Sequence, residues 1–177
     1  RLRLDYANAQ EVDGGQPYDN GGSNPQPQPG QDWKVEPILP EENEEVIKEV
    51  NVNLMQFDDD EEPSMASPAV VNQGQVVKRN GEYYVKLSFR ETEIYGLPAY
   101  VKYVWYFENN NPTDQASKRS VRILDAYNAN TPSVSGQMIK TFEIPLKDPN
   151  QRQVYAQFSV PSMGEYIPTA QYIFTDK

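Results

Sequence analysis

Neither cysteine nor histidine occurs among the 177 residues. Their absence excludes disulfide frameworks, thiol nucleophiles, Cys/His zinc sites, the Cys-x-x-Cys-His attachment motif and every His-based catalytic triad. Chemistry here falls to Tyr, Met, Ser, Lys and carboxylates. Long apolar runs are missing too. No stretch approaches the roughly 20 residues of a membrane-spanning helix, and Arg1 to Gln10 lacks the apolar core of a signal peptide. If the protein is exported, its signal and any anchor are expected to have been removed. Positive charge is scarce, with 16 Lys and Arg against 26 Asp and Glu, a net charge of −10 and a pI near 4.5. That sign opposes a phosphate backbone or an anionic lipid surface, so neither nucleic acid nor membrane insertion is expected.

The acidity is unevenly placed. Residues 1–50 hold 11 acids against 4 bases, together with 6 of the 15 prolines and 5 of the 10 glycines. The stretch from Gly14-Gly15-Gln16-Pro17 to Pro29-Gly30 has neither a two-residue nor a 3.6-residue period. Such a segment buries too little apolar area to offset its ordering entropy. Residues 1–45 therefore read as an acidic, Pro/Gln/Gly-rich disordered linker, and 46–177 as the folded domain. After residue 50 there are 15 acids and 12 bases, and five of those acids form the run Asp58-Asp59-Asp60-Glu61-Glu62. The run lacks the Asp-x-Asp-x-Asp-Gly spacing that wraps oxygens around calcium, so it reads as a solvated loop.

From residue 50 onward apolar residues alternate, in segments rich in Val, Ile, Tyr and Phe, as half-buried strands require. The period predicts strands over Val50–Phe57, Glu82–Arg90, Ala99–Glu108, Lys118–Asp125, Gln137–Ile144, Gln153–Val160 and Ala170–Thr175, with an eighth near Val76-Val77. Asn80-Gly81 has the composition of a tight hairpin turn, and Asn111-Pro112, Thr131-Pro132 and Asp148-Pro149 punctuate the rest. The expected fold is all-β: an immunoglobulin-like antiparallel β-sandwich of seven to eight strands. Tyr100 to Phe107 is nearly continuous in large residues, which reads either as a two-sided core strand or as one with a face under a loop or ligand.

Several local patterns then fall in a definite order. Val52-Asn-Leu-Met-Gln-Phe57 and the acidic loop lead to Pro63-Ser64-Met65-Ala66, and Asn80-Gly-Glu-Tyr-Tyr-Val-Lys-Leu-Ser-Phe89 follows. Later come Phe142-Glu-Ile-Pro145, Val154-Tyr-Ala-Gln-Phe-Ser-Val-Pro-Ser-Met163, Tyr166 and a closing strand to Phe174. Over residues 48–177 this order resembles the NEAT (near-iron transporter) domain of Gram-positive cell-surface haem-uptake proteins.

The resemblance implies a sandwich that holds haem between a short 3₁₀ helix and the last hairpin. By position, Ser64 would donate to a propionate, Met65 would pack on the porphyrin, and Tyr166 would ligate ferric iron through its hard phenolate oxygen. The chain departs from the family pattern four residues on, where Ala170 stands in place of a second Tyr. Alternation puts Tyr172 and Phe174 on the same face as Ala170, which makes Tyr172 the substitute one step further along. Met65 and Met163 flank the supposed pocket, either as iron donors or as gap-filling apolar residues. The implied function is a non-enzymatic haem-binding module in iron acquisition, extracellular and either secreted or attached to the cell wall. The alternative is a protein-recognition module for haemoglobin or a host matrix protein on the same fold. A carboxylate-only glycosidase is the enzyme reading, since it needs just two suitably spaced acids.

Overall fold

The computed structural model describes residues 33–177. The strands are β1 (Glu45–Gln56), β2 (Asp59–Pro63), β3 (Gln73–Arg79), β4 (Glu82–Ser88), β5 (Glu93–Ile94), β6 (Leu97–Pro98), β7 (Tyr103–Phe107), β8 (Lys118–Ser120), β9 (Arg122–Asn130), β10 (Ser135–Leu146), β11 (Gln153–Ser159) and β12 (Thr169–Asp176). Short 3₁₀ turns at Pro40–Glu42, Ser67–Ala69, Gln115–Ser117 and Pro161–Met163 connect them. Pairing is antiparallel throughout, in the order β8-β7-β11-β12-β1-β3-β4-β10-β9. No described helix is long and apolar enough to cross a membrane.

Strand β1 joins the two layers of the sandwich. Its first half, Glu45 to Asn51, pairs with β3, and its second half, Val50 to Gln56, pairs with β12. At the crossing Val50 lies opposite Gly74, where a Cβ would come within 2.7 Å of the Lys86 carbonyl oxygen, so only glycine fits between β1 and β4. Val52, Leu54, Val85, Leu87, Phe142, Ile144, Phe158, Tyr172 and Phe174 alternate inward from both layers and are almost wholly buried. The immunoglobulin-like sandwich expected from the period is the observed fold. Eight strands build its layers; β2, β5, β6 and β8 are short additions of two to five residues, of which β2, β5 and β6 were not revealed by alternation.

Two expected boundaries differ. The segment Lys118–Asp125, read as one strand, is split at Val121: β8 pairs with β7 on one layer, and β9 pairs with β10 on the other. A period of two continues across such a step, because each piece still alternates. The second difference lies before β1. Trp33 and Val35 pack on the core, and Trp33 Nε1 donates to the Lys102 carbonyl at 2.6 Å. Glu36 N donates to the Ile123 carbonyl at 2.7 Å, and Arg122 holds the Glu36 and Pro37 carbonyls and, in a fork at 3.0 Å to each oxygen, the Glu42 carboxylate. Residues 33–44 thus form a strap across the sheet, within the stretch 1–45 whose composition reads as a linker; its residues 1–32 lie outside the described residues.

The strap ends in a charged cluster. Arg79, only 4% exposed, donates to Glu143 and, at 2.7 Å, to Glu44, while its guanidinium lies 4.2 Å from the Tyr84 ring centroid. Lys86 reaches Glu44 at 2.5 Å. The Arg122 hydrogen bonds hold the Glu42 carboxyl down at about 2.

Candidate functional site

The two motifs expected to carry a ligand leave the sheet from neighbouring strand ends. Gln56, which ends β1, pairs with Ala170 near the start of β12. Past Gln56 the chain makes β2 and returns at Ser64, whose N–H donates to the Leu54 carbonyl at 3.0 Å. Ser64 Oγ accepts from Ala66 N at 3.2 Å and its carbonyl accepts from Ser67 N at 3.0 Å, which tightens the turn into the 3₁₀ segment Ser67–Ala69. Accepting that bond leaves the half-buried Ser64 hydroxyl its own hydrogen to donate. Ala66 turns inward against the core, and Met65 turns outward, 52% exposed.

On the other side, Pro161 starts a 3₁₀ turn that ends at Met163, and Gly164 at φ +68° reverses the chain. Met163 is half-buried and packs on the core, whereas Tyr166 is 60% exposed on the loop before β12. Ser64, Met65, Met163 and Tyr166 therefore sit at one end of the sandwich, with Met163 as apolar support and the other three turned toward solvent or partly open to it.

Tyr172 does not join them. Ala170, Tyr172 and Phe174 share one face, as alternation requires, but that face is the inner one, and Tyr172 is fully buried. Its ring lies 6.1–6.4 Å from those of Phe142, Phe158 and Phe174. Burial pushes its phenol far above the ordinary tyrosine range, and its hydroxyl has no hydrogen-bond partner among the described residues. A neutral phenol sealed in the core cannot reach a ligand outside, so the substitution of Tyr172 for the missing second Tyr is withdrawn.

The outward face of the last hairpin carries amides instead. Gln171 Nε2 donates to the Gln56 carbonyl at 3.0 Å, Gln153 Nε2 to Gln171 Oε1 at 3.0 Å, and Gln157 Nε2 to Thr169 Oγ1 at 2.8 Å. Beyond it, β7 is buried on both faces. Val104 and Tyr106 pack into the core, and the opposite side chains, Tyr103, Trp105 and Phe107, are each under 7% exposed. Burial raises the Tyr106 phenol to about 12 and lowers Lys118, whose Nζ lies 4.4 Å from the Trp105 ring centroid.

A third loop reaches the same end. Ser162 Oγ donates to the Pro98 carbonyl at 2.7 Å, which ties the β5–β6 hairpin to the turn before Tyr166, and Arg90 N donates to the Ala69 carbonyl at 2.8 Å. Ile94 packs on the same core cluster as Ala66 and Met163. Five of the eight exposed large apolar or aromatic side chains belong to these loops: Phe57, Met65, Tyr95, Leu97 and Tyr166. Residues 57–69, 91–98 and 160–169 contain eight carboxylates and no Lys or Arg. Among the described residues no group of three or more acidic side chains is arranged to hold a bare metal ion. The donors this end offers are the open phenols of Tyr95 and Tyr166, carboxylates, thioethers and hydroxyls. They suit ferric iron carried in a porphyrin, whose ring supplies the equatorial ligands.

No family model matches the chain, and no curated protein matches it. Among solved structures, it is similar to the NEAT5 domain of IsdX2, a B. anthracis hemophore in complex with heme, with a TM-score of 0.46 and 12% identity over 77% of this chain and 98% of the other. A glutamine-to-threonine variant of that domain, also in complex with heme, has a TM-score of 0.46 and 12% identity over 77% of this chain and 97% of the other.

Proposed function

We propose that residues 33–177 form a haem-binding module of a secreted or cell-wall-attached bacterial protein, acting in haem acquisition. The observation that carries this reading is the open phenol of Tyr166 at the end where the Ser-Met-Ala turn and the Val-Pro-x-Met turn leave from neighbouring strand ends. In a chain without His or Cys, a phenol is the strongest side-chain donor for ferric iron at that end. Tyr166 would hold the iron through its phenolate oxygen. Met65 packs its flexible thioether chain on the ring, and Met163 supports the loop from the core. Ser64 donates its free hydroxyl hydrogen to one propionate. Residues 57–69, 91–98 and 160–169 hold no base, so affinity would rest on apolar packing and the phenolate rather than on a cation from these loops.

The Pro/Gln/Gly composition of residues 1–32 suits a spacer that holds such a module away from a surface. The test is a hemin titration followed by absorbance. The wild-type chain gives a shifted Soret band and a phenolate-to-iron charge-transfer band, and Tyr166→Ala loses the latter with affinity on the order of a hundredfold weaker. A wild-type chain that leaves the hemin spectrum unchanged at micromolar protein overturns the reading.

A further inference from the structure

Two hairpins of this chain have the same two-residue turn and fill it differently. In the β3–β4 hairpin, Arg79 pairs with Glu82 and the turn is Asn80-Gly81, at φ +50° and +80°. In the β5–β6 hairpin, Ile94 pairs with Leu97 and the turn is Tyr95-Gly96, at φ +53° and +77°. Asn tolerates the left-handed region because its short side chain hydrogen-bonds locally; a tyrosine there meets the Cβ clash without that relief. Folding does not repay the strain, since the Tyr95 side chain is 86% exposed, the most of any large apolar or aromatic residue described. A strained, solvated aromatic at a loop tip points to contact with something outside the chain.

The position of the hairpin says what that something is. Its foot is tied through Pro98 to Ser162, four residues before Tyr166. Tyr95 therefore rises from a hairpin tied to the loop that carries Tyr166, near the half-exposed Leu97. We infer that Tyr95 is a ligand-contact residue whose ring packs against the porphyrin and forms the third wall of the site, opposite Met65. The inference rests on the haem reading of that end and adds a wall to it: the loop 92–98 sets how the ring is enclosed, while Tyr166 holds the iron.

Hemin titrations of wild type, Tyr95→Asn and Tyr95→Phe, each with its thermal midpoint, test this. Asn suits the turn, so Tyr95→Asn keeps or raises the midpoint while binding hemin about three- to tenfold more weakly, the range for one lost aromatic packing contact. Tyr95→Phe retains wild-type affinity within about twofold, because the ring and not the hydroxyl makes the contact. The charge-transfer band survives in both variants, since Tyr166 is untouched. Wild-type affinity in Tyr95→Asn, beside a wild type that does bind, overturns the role of Tyr95 and leaves the haem reading standing. Absence of any Soret shift in the wild type overturns both.

Discussion

Charge is used in opposite ways at two regions of this sandwich. On the outer side of β3, β4, β9 and β10 every buried charge has a partner: Arg79 meets Glu143 and Glu44, Lys86 meets Glu44, and Arg122 holds Glu42. At the loop end residues 57–69, 91–98 and 160–169 carry eight carboxylates and no Lys or Arg, with Arg90 turned onto the Val70 carbonyl, beside exposed Phe57, Met65, Tyr95, Leu97 and Tyr166. The first region binds a strap of the protein's own chain. The second leaves apolar side chains in water under an unbalanced acidic rim, as a surface does when its contacts are made with another molecule.

The largest expected effect comes from breaking the paired region. Arg79→Met leaves the Glu143 carboxylate buried without its cation, which costs about 3–5 kcal/mol in urea unfolding. The hemin spectrum of the folded fraction stays that of wild type. A loss below about 1 kcal/mol would mean that the cluster is no tighter than a surface ion pair.

Next is Tyr172→Phe, which removes the unpartnered hydroxyl from the core. The variant gains about 1 kcal/mol, the desolvation penalty of that group, and binds hemin unchanged. Weaker hemin binding with a normal fold would return Tyr172 to the site.

A smaller effect is expected from salt at the unpaired end. Eight like charges repel the propionates, so hemin affinity rises about twofold between 0.05 and 0.5 M salt as screening grows. Falling affinity would reveal cationic groups around the ligand.

The smallest effect concerns the strap at low pH. Glu42 has its carboxyl lowered by Arg122 from 4.5 to about 2, so its contribution to stability is complete above pH 4.5 and is lost as pH falls through 2. Trp33 fluorescence is steady above pH 4.5 and shifts red in acid, before the core unfolds, as the strap lifts. An emission that moves only with global unfolding would show that the strap does not depend on this pair.

Much of the sandwich is legible in the chain because each strand carries its own evidence. Asn80-Gly81 marks a hairpin, and Val154, Ala156 and Phe158 alternate into the core along Gln153–Ser159 without a break. The strap is not legible, because Trp33, Val35 and the prolines after them have no period; they are held by single contacts to Lys102, Ile123 and Arg122, far away in sequence. Tyr95 escaped for a related reason. A two-residue strand on each side of Tyr95-Gly96 is too short to alternate, though an X-Gly pair between Ile94 and Leu97 is the turn signal that was there to be read.

The amino-acid sequence by itself determined the strand content, the absence of His and Cys as iron donors, and the parity that groups Ala170, Tyr172 and Phe174 on one face. Only the tertiary structure decided which way that face points. A period of two states that alternate side chains agree, and nothing in it distinguishes inside from outside. The sign is set when Phe142 and Phe158 close over Tyr172 from the facing strands, whereas Tyr166, on the loop outside the alternation, stays exposed.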